Sequence, residues 1–283
     1  MWLRLNRRIN KYPYILLGSI HMFMLIYTIY KSKDRVKHLT LFSTYIGFAY
    51  IFEYIIVALF DGYHYKPKFL KDKYLDSYLG SICSQYFYVP VTALFITVFR
   101  LGWKSKLSFS LYFSLIEKLF IRLGIFKNNW WKTSYTFLAI FISFFLNDLW
   151  YKQLKKANPL MLFLSFFNLI QVTWMNMLYM LYAIKQVRYQ LGWFDFFEKT
   201  PFKIAPAVGL LKSIVLTQLL KKSAFASKII SFIFLLTFDW VLIQKKMIKV
   251  RSYLILPLTY IIIIGSSVFY KRMVFGRIVN RTE

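Results

Sequence analysis

The chain has 283 residues, 58% of them hydrophobic, and a formal charge of +27. Its apolar residues fall in long uninterrupted runs, which exclude an ordinary soluble domain and, without alternating segments of about 10 residues, a β-barrel. The basic residues lie between those runs and form no recognised binding motif, so the charge points to anionic lipid headgroups and away from nucleic acid.

The first apolar stretch, 13–30, follows Arg4, Arg7, Arg8 and Lys11. It is long for a signal peptide and no small-residue cleavage site follows it, so it reads as an uncleaved membrane helix. Further spans are expected at 40–60, 79–99, 107–126, 134–151, 159–184, 225–244 and 253–270. Pro90 is expected to kink the third. Segment 107–126 contains Glu117, Lys118 and Arg122; the two cations share a helical face, so lying on the membrane surface is the alternative. The stretch 204–220 contains Pro206, Gly209 and Lys212 and reads as a re-entrant or interfacial helix. Ahead of it, Trp193, Phe194, Phe196 and Phe197 interleave with Asp195 and Glu198, an interfacial pattern.

The expected fold is therefore all-α, a polytopic transmembrane helical bundle of about eight spans, within a range of about seven to nine. Residues 1–184 form a bundle of six spans, 185–224 a basic interfacial or cytoplasmic segment, and 225–283 two C-terminal spans with a basic tail. With 204–220 not crossing, Lys and Arg favour the side of the N-terminus, which predicts that both ends are cytoplasmic. No convincing internal repeat is visible, although Glu53, Glu117 and Asp239 each precede an aromatic residue in a separate helix.

Acids within apolar runs are the informative residues: Glu53, Glu117, Asp148 and Asp239. A carboxylate in hydrocarbon costs a few kcal/mol and faces protein or water. A proton or cation pathway is one reading; pairing of each acid with a donor on a neighbouring helix is the other. Asn168 and Gln171 share a helix face, as do Ser110, Ser114 and Glu117, and Ser143 and Asn147, which suits hydrogen bonding between helices. In the loop 61–76, Asp61, His64 and Lys66 form a weaker candidate site at headgroup level, with Tyr63, Tyr65 and Tyr74 as interfacial aromatics. Two ligands, Asp61 and His64, are too few for a metal, and the one cysteine, Cys83, allows neither an internal disulfide nor a cysteine zinc site. No HExxH, GxSxG or P-loop occurs. No catalytic residue, cofactor or metal is assigned.

Residues 40–184 resemble a family of small, uncharacterised multi-pass membrane proteins of bacilli and clostridia. The resemblance rests on Glu53 followed by DGYHYKP at 61–67, on IEKLFIRLGIFKNNWWKTSYT at 116–136, and on five closely spaced hydrophobic segments. It implies the cell membrane of a spore-former and no mechanism; 185–283 would be an extension. Lys outnumbers Arg 27 to 11, which fits an AT-rich genome. The leading expectation is a non-enzymatic accessory or structural membrane protein in envelope or spore physiology, possible as a homo-oligomer. The alternatives are a small transporter, channel or ion-coupled sensor using the intramembrane acids, and a lipid-acting enzyme using the 61–66 loop.

Overall fold

The computed structural model describes residues 10–190, 200–222 and 224–276. Nine helices dominate them: α1 (Tyr12–Lys31), α2 (Arg35–Leu59), α3 (Lys73–Val98), α4 (Trp103–Arg122), α5 (Thr133–Lys155), α6 (Pro159–Ala183), α7 (Thr200–Leu220), α8 (Phe225–Gln244) and α9 (Ile255–Gly276). Four three-residue strands join them: β1 (Tyr63–Tyr65), β2 (Phe126–Asn128), β3 (Val187–Tyr189) and β4 (Ile248–Val250). The fold is all-α, and seven helices among the described residues, all but α4 and α5, are long and apolar enough to cross a membrane.

One of these helices differs from expectation. The stretch 204–220 lies within a continuous helix, Thr200–Leu220, and its apolar part meets the length and composition of a span. The chain divides into two compact units between Asn158 and Pro159, at the tight turn joining α5 to α6.

In the first unit, α1 precedes two helix–strand–helix hairpins, α2–β1–α3 and α4–β2–α5. The second consists of two such hairpins, α6–β3–α7 and α8–β4–α9. In each unit the two strands pair antiparallel, Tyr63 opposite Asn128 and Val187 opposite Val250. Even the flanking bonds correspond: Lys66 N–H to Ile125 O (2.8 Å) matches Gln190 N–H to Met247 O (2.9 Å). Likewise Asn129 N–H to Gly62 O matches Arg251 N–H to Gln186 O, both 2.9 Å. Helices α2 and α6 are both 25 residues long, α4 and α8 both 20.

The reason for the matching geometry is local. Asp61, Gly124, Lys185 and Lys246 all have positive φ, each two residues before its strand. This left-handed residue turns the chain out of the helix. At the last three, its N–H bonds three residues back and the next N–H five residues back, the double closure of a Schellman cap. In α2 the backbone widens over Tyr54–Leu59, with Phe60 N–H reaching Ile55 O, so the closing bond spans one residue more. The two units are thus an internal repeat at the level of backbone, which the amino-acid pattern hides. A second widening, Ile82–Tyr88, lies just before Pro90, whose ring would otherwise collide with the carbonyl one turn earlier.

Side chains are distributed inside out. Outward faces carry Leu16, Phe23 and Ile26 on α1, Leu138, Ile142 and Leu146 on α5, and Ile233 and Trp240 on α8. Ser110, Asn168, Gln171, Ser213, Thr217 and Ser231 are fully buried. Such a distribution suits a lipid surround, where the apolar face needs no cover and the polar groups must find partners within protein.

Candidate functional site

Each of the four acids meets its own set of donors. Glu53, near the end of α2, is 4% exposed and accepts from the Tyr63 hydroxyl on β1, from Ser81 Oγ (2.6 Å) and from Gln85 Nε2 (3.0 Å) on α3. Glu117, near the end of α4, is 7% exposed and accepts from Asn128 Nδ2 on β2 (3.3 Å), from Thr133 Oγ1 (2.7 Å) and from Thr136 Oγ1 on α5. Trp131 Nε1 donates to Thr136 Oγ1 at 2.7 Å and so fixes that hydroxyl. These two acids occupy the same place in the two hairpins of one unit. Their strand partners, Tyr63 and Asn128, lie directly opposite in the ribbon. Burial, followed by the nearby Glu53 carboxylate, holds the Tyr63 phenol well above its usual range, with Glu117 adding a smaller push. All the bonds to Glu53 and Glu117 come from neutral donors.

Asp148 and Asp239 instead meet cations. Asp148 on α5 accepts from Thr97 Oγ1 (2.6 Å) on α3 and pairs with the ammonium of Lys106 on α4. Lys106 also lies over the Phe145 ring, 4.1 Å from its centre. Asn147, one residue earlier, donates to Thr97 Oγ1 (3.0 Å) and Ala93 O (3.3 Å). Asp239 on α8 receives Lys212 Nζ on both oxygens, at 2.5 and 2.7 Å, and also the Tyr260 hydroxyl of α9. Lys212 lies 4.8 Å from the centre of Trp174 on α6, so all four helices of the second unit meet at this pair. Lysine in α7 reads from sequence as an obstacle to crossing. It is 1% exposed and its charge is answered from the next helix.

The remaining candidates do not converge on a common centre. Asn168 and Gln171 are fully buried on α6, and Asn168 Nδ2 bonds the Leu164 carbonyl of its own helix (2.9 Å). Ser110 and Ser114 share the buried face of α4 with Glu117, yet their hydroxyls also bond carbonyls of their own helix, at 2.8 and 2.9 Å. Ser143 joins the Tyr45 hydroxyl at 2.6 Å. In the 61–66 loop, Asp61 Oδ1 lies 2.9 Å from His64 Nε2, and Lys66 is exposed. Tyr63 and Tyr65 are buried against the bundle, contrary to a headgroup placement, because they are the inward residues of β1 and His64 the outward one. Among the described residues no three of His, Cys, Asp and Glu gather as metal ligands. The aromatic stretch Trp193, Phe194, Asp195, Phe196, Phe197 and Glu198 lies outside the described residues.

Sequence reasoning missed Tyr63, Lys106, Lys212 and Tyr260 as partners. Only Tyr63 carried a signal, the Tyr-His-Tyr alternation of a half-buried strand. Compared with known proteins, the chain matches no family model, no curated protein and no solved structure.

Proposed function

We propose that this chain is a non-catalytic integral membrane protein, an accessory or structural component of the bacterial cell membrane acting in envelope or spore physiology. One observation carries the reading: each of the four acids is satisfied by its own neighbours, in the role of a lock between adjacent elements. A conducting or transporting site needs groups left able to exchange partners, whereas here carboxylates hold helix to strand and helix to helix. The spore-former setting follows the resemblance over 40–184. The unbroken outward stripe on α5, with Leu111, Leu115 and Leu119 on α4, supports crossing by these two helices as well. Nine crossings would place the start of α1 and the end of α9 on opposite sides of the membrane. The partner proposed at both surfaces is the anionic headgroup layer.

The test is flux. Purified full-length protein in proteoliposomes should pass protons, Na⁺ and K⁺ no faster than empty vesicles, in the wild type and in Glu53→Gln and Glu117→Gln alike. A wild-type flux lost in either variant refutes the accessory reading and establishes the transport one. In a spore-forming host, deletion should lower envelope integrity or sporulation, and Glu53→Gln should restore it.

A further inference from the structure

The outward face of α4 ends in two cations that the bundle leaves unanswered. Leu111, Leu115, Lys118 and Arg122 follow one another at intervals of four, three and four residues, which sets them on one side of the helix. All four are exposed, the leucines at 49% and 64%. Among the described residues, neither cationic side chain has a hydrogen bond, an ion pair or a ring contact. The adjacent acid, Glu117, is turned inward at 7% exposure, and its oxygens are taken by Asn128, Thr133 and Thr136.

The level of the pair makes it costly. From Trp103, 58% exposed, to Arg122 the helix covers about 30 Å, the thickness of the hydrocarbon core. With Trp103 at one boundary, Arg122 stands at the other and Lys118 about 6 Å inside it. An ammonium within the hydrocarbon is costly, and like charges four residues apart on a helix repel. Helical side chains lean toward the N-terminal turn, which favours an approach of Arg122 to Lys118. One anion between the two head groups relieves both penalties. A second copy of the chain is a poor source of it. On the described membrane helices Glu53, Glu117, Asp148 and Asp239 are held by their own neighbours, and Asp76 by three backbone N–H groups at 2.8, 2.7 and 2.9 Å.

We propose that Lys118 and Arg122 form a binding site for the phosphate of an anionic lipid, with an acyl chain of that lipid lying along Leu115 and Leu111. The guanidinium suits two phosphate oxygens through its paired N–H groups, and the ammonium adds a point charge. The order of residues matches the polarity of a lipid, with cations at the boundary and leucines toward the middle of the helix. The inference rests on the crossing of α4 proposed above and not on the accessory role. Ion flux would overturn that role and leave the lipid preference unchanged.

The test uses the full-length protein in neutral detergent micelles with phosphatidylglycerol or phosphatidylcholine carrying a fluorescent acyl chain, and reads binding as anisotropy. The wild type should prefer phosphatidylglycerol. Lys118→Gln/Arg122→Gln should weaken that preference by about fivefold for each charge removed, and Lys118→Arg should retain it. Lys152→Gln/Lys156→Gln, which removes two exposed charges at the end of α5, should stay within about twofold of wild type. Equal losses in the two double variants would show diffuse surface charge and overturn the site, as would no preference in the wild type. Loss of the preference in inorganic phosphate, but not in chloride of equal ionic strength, would make free phosphate the occupant and overturn the lipid assignment. The crossing is read separately in vesicles, with Lys104→Cys and Lys132→Cys each made in a Cys83→Ser background. The two cysteines should react with an impermeant maleimide from opposite sides. Reaction from one side only would overturn the crossing on which the site rests, whatever the micelle result.

Discussion

Asp239→Asn should be among the most damaging isosteric changes available to this protein. The substitution keeps the side-chain volume and removes the charge. It leaves the Lys212 ammonium, 1% exposed and previously bonded at 2.5 and 2.7 Å, without its counter-ion. Breaking a buried ion pair by removing one partner costs about 3–5 kcal/mol. The ammonium keeps its contacts with the rings of Trp174 at 4.8 Å, Phe238 at 5.6 Å and Tyr260 at 5.9 Å. Those contacts are present before and after the change, so they cancel in the difference. The loss should be about 3 kcal/mol or more, at least roughly two decades in the unfolding equilibrium. Lys212→Met with Asp239→Leu and Tyr260→Phe should do far better, because all three polar partners leave together. Apolar replacement of a buried pair is often neutral or stabilising by about 1–4 kcal/mol. The assay is equilibrium unfolding of the purified protein in mixed micelles with rising sodium dodecyl sulfate, followed by far-ultraviolet circular dichroism. A single variant within about 0.5 kcal/mol of wild type, or a triple variant less stable than the single, would refute the reasoning that separates a broken pair from a replaced one.

The same assay reads three more outcomes. Glu53→Gln should cost no more than about 1 kcal/mol, since an amide oxygen still accepts from Tyr63, Ser81 or Gln85, whereas Glu53→Ala should cost about 3 kcal/mol or more by stranding buried donors. Gly124→Ala and Lys246→Gly should move in opposite directions, because both positions have positive φ, at 70° and 56°: a loss of about 1–2 kcal/mol for the first and a gain of about 0.5–1 kcal/mol for the second. Gly80→Ala should cost about 1–3 kcal/mol, since an added Cβ would lie 2.4 Å from Tyr65 Cβ and force α3 away from β1.

What the sequence made legible follows from length scale. A run of about 20 apolar residues announces a helix by itself, and seven of the nine helices among the described residues are of that kind. The acids inside those runs were also visible, and all four proved to be buried or half-buried anchor points. The ribbons were hidden because a three-residue strand has almost no periodicity of its own; β1 to β4 exist through their partners. For the same reason Tyr63 read as an interfacial tyrosine, although its hydroxyl is held by Glu53. Lys212 was misleading in the opposite sense. On its own helix it argues against crossing, and only Asp239, 27 residues further along, removes the objection.

The repeat shows most plainly why pattern and structure part company. What the four hairpins share is backbone: a left-handed residue two places before each strand and the same bonds across each ribbon. Asp61, Gly124, Lys185 and Lys246 fill that left-handed position with three different chemistries. The carboxylate above the ribbon has drifted in the same way. It bonds strand and helix hydroxyls and amides in the first unit, through Glu53 and Glu117, and a lysine in the second, through Asp239. A lipid surround permits this drift, because outward positions need only be apolar and each inward polar group needs only some partner. Selection on backbone closure and on local satisfaction of polar groups preserves the fold while erasing the sequence likeness between its halves.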